Sequence, residues 1–114
     1  MEALAISDEK QDGFLVVRLQ GMVNAPQAPE LEQRLLGRID GGARRLIIDC
    51  AQLSFISSAG LRVLLAAARK LKRANGKLGL AALPELVLDV FVMAGFAEIF
   101  EFFPGVPEAV QALR

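Results

Sequence analysis

The sequence predicts an α/β domain: a mixed β-sheet of four to five strands packed by about four helices. Three observations predict it. Short β-branched runs alternate with amphipathic stretches along the chain. The run Leu46-Ile47-Ile48-Asp49 is apolar without alternation, the pattern of a strand buried on both faces among parallel neighbours. The 114 residues, 54% hydrophobic and 23% charged, suffice for one core. Residues 1–114 are therefore expected to form one domain.

The elements follow in order. Residues 14–19 are an apolar run between Gly13 and Gly21, which predicts a strand. Residues 3–8 read as a shorter partner strand, with Asp12-Gly13 close to a hairpin turn signal. A connection with Pro26 and Pro29 follows. Leu31, Leu35 and Ile39 then recur at helical spacing with Glu30, Glu32, Gln33 and Arg34 between them, an amphipathic helix closed by Gly41-Gly42. Residues 46–49 are the buried strand and residues 50–57 a loop. From 58 to 74 the pattern is helical: Leu61, Leu64, Leu65, Ala68 and Leu71 form one stripe. Arg62, Arg69 and Arg73 lie on another face of that helix, with Lys70 and Lys72 beside it, a solvated face in the ordinary case. Asn75-Gly76 tolerates the left-handed conformation that ends helices. Residues 77–82 read as a strand. Pro84 opens a helix that reaches about Ala94 and stops at Gly95. Residues 98–103 are a last short strand, and residues 107–113 a C-terminal helix.

Composition narrows the chemistry. Lys plus Arg and Asp plus Glu are both 13, so the formal charge is zero. A nucleic-acid binder driven by electrostatics would show a basic excess. The chain has no His, which removes Ser-His and Cys-His pairs and the commonest metal ligand. Its one cysteine, Cys50, excludes an internal disulfide and a Cys-rich zinc site. The start, Met1-Glu2-Ala3, is followed by Asp8, Glu9 and Lys10 rather than by a basic and then an apolar region, so no export signal is expected. No uncharged stretch approaches the roughly 20 apolar residues of a spanning helix. A cytoplasmic location without membrane insertion follows as an expectation.

The informative stretch is Asp49-Cys50-Ala51-Gln52-Leu53-Ser54-Phe55-Ile56-Ser57-Ser58-Ala59-Gly60-Leu61-Arg62. It sets two hydroxyls at the start of a helix that follows a buried strand. Either Ser57 or Ser58 can be the N-cap, accepting a hydrogen bond from an unpaired N–H. A helix N-terminus also tolerates a phosphate, because its free N–H groups and positive dipole end favour negative charge. Phosphorylation there adds roughly −1.5 to −2 charges without unfolding the helix. Gly60 either lets another backbone come close or serves close packing within the domain. Arg62 lies one turn from Ser58, within reach of a partner or a phosphate.

On these residues the chain resembles the STAS domains, in particular the bacterial anti-sigma-factor antagonists (anti-anti-sigma factors). The Ser-Ser-Ala-Gly-Leu-Arg core of residues 57–62 is similar to their signature. Leu19-Gln20-Gly21-Met22-Val23-Asn24 resembles their Leu-x-Gly-x-hydrophobic-Asp/Asn turn. Gly76-Lys77-Leu78-Gly79-Leu80 resembles their next strand, and residues 90–96, with Gly95, their helix end. The resemblance implies that Ser58, two residues before the signature Gly60, is the phosphorylated serine. It implies binding to an anti-sigma factor that is also a serine kinase of the GHKL type. The unphosphorylated form sequesters that kinase, phosphorylation ends the binding, and a PP2C-type phosphatase restores it; the domain itself is expected to have no catalysis and no cofactor, ATP belonging to the kinase. Asn24, Ser57, Ser58, Ala59, Gly60 and Arg62 are then the partner-binding positions. The sequence departs from the pattern at three of them. Ser57 stands where many members have Asp, and so becomes an alternative acceptor. Ala59 stands where Ser or Thr is common, and Asn24 where Asp is frequent.

Other readings are weaker on the residues. A receiver domain would use Asp49 as phosphoacceptor, but its acidic pair after the first strand and its later Lys are absent. Gly76-Lys77 is no phosphate loop, since Leu78 replaces the Ser or Thr. Nothing in the sequence places a Lys beside Ser57 or Ser58 for a Ser-Lys hydrolase. The alternative from a different class is a non-phosphorylated STAS subunit of a lipid-transport ABC system, in which both serines only cap or contact. In the third helix, Leu86, Val87, Leu88, Val90, Phe91, Val92 and Met93 run all round, so it is buried or meets a partner through Leu88, Phe91 or Val92.

Overall fold

Asp12 and Gly13 both take positive φ, 53° and 84°, as the tight hairpin turn joining twisted strands requires. That turn joins β1 (Ala5–Gln11) to β2 (Phe14–Val23) in antiparallel register, with Gln11 opposite Phe14. These positions come from a computed structural model that describes residues 3–114. Met1 and Glu2, part of the segment read for an export signal, lie outside the described residues. The register moves the first strand from the expected residues 3–8 to Ala5–Gln11. β2 also runs past the expected end at residue 19. Gly21 does not stop it: at φ +101° it sits inside the strand between two register shifts, where an added Cβ would collide with the Ala3 carbonyl.

The longer β2 has a consequence across the sheet. β3 (Arg45–Ile56) pairs parallel with β2 up to Met22–Phe55 and Val23–Ile56. The expected loop at residues 50–57 is therefore strand as far as Ile56. Leu53 and Ile56 are buried in the core, which repays the extension with apolar contact. β4 (Lys77–Ala81) and β5 (Glu101–Phe103) add in parallel, giving a five-stranded mixed sheet in the order β1-β2-β3-β4-β5. β5 is shorter than residues 98–103, because Ile99 donates its N–H to the Phe96 carbonyl in a turn.

Helices cover both faces. α1 (Ala28–Asp40) buries Ala28, Leu31, Leu35 and Ile39, with Pro29 in its first turn, and Gly42 at φ +111° closes it. α2 (Ser58–Arg73) buries Leu61, Val63, Leu64, Ala67 and Leu71, and Asn75 at φ 61° follows its end. α3 (Glu85–Met93) is preceded by Pro84 and buries Val87 and Phe91. These three helices share one core with Val17, Leu19, Leu46, Ile48 and Leu53. α4 (Val106–Leu113) lies on the opposite face against Phe14, Val16, Ile47 and Ala81. The carboxyl ends of β2, β3 and β4 point the same way, so the starts of α1, α2 and α3 gather at one end of the sheet.

Candidate functional site

A single residue, Ser57, separates β3 from α2. Its N–H donates to the Val23 carbonyl at 2.8 Å, which continues the β2–β3 ladder by one step. Its carbonyl accepts from the Leu61 N–H at 2.9 Å, already a helical bond. Its Oγ accepts from the Gly60 N–H at 3.4 Å, with extended backbone at φ −88° and ψ 173°. Ser57 is thus the N-cap, which the sequence left open between the two serines. Ser58 is the first residue of the helix and exposed, and among the described residues its hydroxyl has no partner in the protein. The arrangement sets a free hydroxyl at the positive end of a 16-residue helix, where an added phosphate meets unpaired N–H groups.

The flanking positions divide. Asn24 follows Val23 and so lies beside Ser57 across the strand ends; its carbonyl accepts from the N–H groups of Gln27 and Ala28 at 3.0 and 3.1 Å. The Asn24 N–H in turn donates to the Gln27 Oε1 at 3.1 Å, which fixes the start of α1. Arg62 is exposed one turn along α2 and makes no ion pair among the described residues. Ala59 is half-buried against the core. Gly60 is buried: a Cβ there would stand 2.6 Å from Ile56 and 2.8 Å from Val23. Its missing side chain admits the core beneath α2, and that space is already filled.

Two surface features escaped the sequence reading. Phe55 is 41% exposed although it lies two residues before Ser57. It pairs with Met22 on the sheet face away from α2, and the buried-exposed-exposed-buried order of residues 53–56 carries no strand period in the sequence. On α3, Phe91 is buried, which decides for that residue between the two readings the sequence left open and removes it from any partner surface. Its ring packs edge-on against Phe100 and Phe102 at 5.5 and 5.6 Å. Leu88 is half-buried, whereas Val92, Leu86 and Met93 are exposed.

Other charged and reactive groups have structural partners. Asp49 accepts from the Arg18 guanidinium at 3.2 Å and from the Ala51 N–H at 3.1 Å. Arg18 also pairs with Glu9, and that hydrogen bond raises its already high pKa. Lys70 on the basic face pairs with Asp40 of α1. Cys50 is fully buried, and burial, with the Asp49 charge second, pushes its thiol up to about 12. Among the described residues no cluster of His, Cys, Asp or Glu could hold a metal ion, and no helix is long and apolar enough to cross a membrane.

Comparison with known proteins converges on one family. The STAS domain family model matches residues 5–109. The chain is 42% identical over 97 residues to a Bordetella bronchiseptica protein named anti-sigma factor antagonist BtrV, covering 85% of this chain and 84% of that one. It superposes with a TM-score of 0.89 on the crystal structure of an anti-sigma factor antagonist from Mycobacterium paratuberculosis, at 28% identity over 98% of this chain and 95% of that one. It shares its fold with SpoIIAA in the unphosphorylated form, at a TM-score of 0.84 and 24% identity over 96% of each chain. The phosphorylated form of the Bacillus protein SpoIIAA matches at a TM-score of 0.75 and 21% identity, over 96% of this chain and 100% of that one.

Proposed function

The chain belongs to the STAS domain family, and from that premise we propose that it is an anti-sigma factor antagonist switched by phosphorylation of Ser58. In its unphosphorylated form it binds an anti-sigma factor that is also a serine kinase of the GHKL type, and the sigma factor is released. Phosphate on Ser58 ends the binding, and a PP2C-type phosphatase restores it. The domain itself performs no catalysis; ATP belongs to the kinase. The exchange takes place in the cytoplasm.

One observation carries the choice of residue: Ser58 is exposed at the first position of α2, whereas Ser57 caps the helix with its own Oγ. Ser57 remains the alternative acceptor, but phosphorylating it would displace that cap. Asn24, Ala59 and Arg62 supply the contact surface around Ser58, and Gly60 shapes it from beneath. A phosphoserine buried at such an interface must shed its water. Reversing a population from 1:99 to 99:1 takes about 5.5 kcal/mol of differential binding.

The test compares Ser58→Asp with Ser58→Ala for binding to the cognate kinase by calorimetry. Ser58→Ala is expected to bind as the parent does and Ser58→Asp at least tenfold more weakly. Equal binding overturns the switch. Mass spectrometry of the protein from its own host, mapped over residues 46–62, should place one phosphate on Ser58. Absence of phosphate together with a co-purifying transporter permease would replace this reading with the assembly-subunit one.

A further inference from the structure

The outer face of α3 combines two properties that rarely occur together. Val87 and Phe91 fix the inward side of the helix. At about 100° per residue, the opposite arc carries Val92, Glu85, Asp89, Met93 and Leu86. Leu86 is 74% exposed, Met93 87% and Val92 55%. Solvent-facing helix surfaces are ordinarily polar, so three large apolar side chains on one short helix form a patch with a use. The charged side chains on that arc, Glu85 and Asp89, are both acidic. Residues 78–113 contain no Lys or Arg, but they hold Glu85, Asp89, Glu98, Glu101 and Glu108.

That pairing of properties selects the occupant. An anionic membrane surface would be repelled by Glu85 and Asp89, because helices that lie on membranes carry Lys and Arg on their polar face. A second copy packed two-fold through this face would bring Glu85 and Asp89 no cation, because α3 carries none. A protein segment with apolar anchors flanked by Lys or Arg satisfies both halves.

We propose that the outer face of α3 docks a basic amphipathic helix of a protein partner. Leu86 and Met93 are the apolar contacts, and Glu85 and Asp89 are the pairing charges. These contacts lie on α3 rather than α2, and their test involves neither kinase nor phosphate, so its failure leaves the switch reading standing.

The probe is a fluorescein-labelled synthetic Leu/Lys peptide with its leucines at amphipathic helical spacing, titrated with the full chain and followed by anisotropy. Binding is expected to weaken at least tenfold in Leu86→Ser/Met93→Ser and in Glu85→Lys/Asp89→Lys, and to weaken with added salt. Circular dichroism checks that both variants keep the fold; their side chains are on the surface, and the two pairs test the apolar and charged halves independently. Several outcomes overturn the proposal: equal binding by both variants, by a scrambled peptide of the same composition, or by a peptide with Glu in place of Lys. Sedimentation of the chain with phosphatidylglycerol vesicles, or dimerisation, abolished by Leu86→Ser/Met93→Ser would also overturn it, by assigning the patch to lipid or to a second copy.

Discussion

Ser57 and Ser58 are the same side chain one residue apart, and their backbone positions separate their roles. Ser57→Ala removes the Oγ that accepts from the Gly60 N–H, so it should lower the unfolding free energy by about 1 kcal/mol in urea titrations. Ser58→Ala removes an exposed hydroxyl and should change stability by no more than about 0.5 kcal/mol. The reverse order would mean that Ser58 is the cap. Sequence alone could not separate them, because either can cap. What separates them is distant in sequence: Val23 fixes the Ser57 N–H at the end of a parallel ladder. Cys50 gives a second residue-level expectation. Burial lifts its pKa from 9.0 to about 12, so the folded chain holds the thiol proton more tightly than the unfolded chain. The stability this contributes is complete below pH about 9 and is lost as pH rises towards about 12. The same burial should make Cys50 inert to iodoacetamide at neutral pH until the chain is unfolded; rapid native alkylation would contradict the burial.

At the scale of elements, one substitution type should have opposite signs in two helices. Gly37 lies on the exposed side of α1, and an added Cβ would meet nothing within 4 Å. Gly37→Ala should therefore stabilise by roughly 0.5–1 kcal/mol through helix propensity and a less flexible unfolded chain. Gly60 is also helical, but its Cβ would enter the packed side chains of Val23 and Ile56. Gly60→Ala should destabilise by about 1–3 kcal/mol, overpacking outweighing the propensity gain. Thermal melts of the two variants check both signs. Period and punctuation made the helices legible: Leu31, Leu35 and Ile39 face inward as the spacing implied, and Asn75 takes the left-handed conformation expected of it. The second half of β3 was not legible, because Ser54 and Phe55 are exposed and the strand exists through its pairing with β2 beyond Gly21. A glycine that reads locally as a stop is here a bend inside a strand. For the same reason the sequence left Phe91 open between burial and partner contact, although it is the centre of an aromatic cluster with Phe100 and Phe102.

Over the whole molecule, zero net charge conceals an uneven distribution, and the absence of His makes its pH response unusually simple. All 13 cations of the chain lie outside residues 78–113. No side chain of ordinary pKa titrates between pH about 5 and 8 once His is missing. The unphosphorylated chain should therefore show nearly constant unfolding free energy from pH about 5.5 to 7. A phosphate on Ser58 would introduce the one group with a pKa near 6. At the N-terminus of α2 the dianion faces unpaired N–H groups and the positive end of the helix, so folding should depress its pKa. A group with a depressed folded-state pKa adds stability above its unfolded pKa and loses it as pH falls through the folded value. The phosphorylated chain should thus gain stability relative to the unphosphorylated one as pH rises from about 5 to 7. Paired urea titrations measure that difference, and phosphorus NMR of folded and unfolded chain gives the two pKa values directly. The same pH slope in both forms, with an unshifted phosphate, would show that the helix end does not hold the phosphate and would move the work of the switch to the partner's surface.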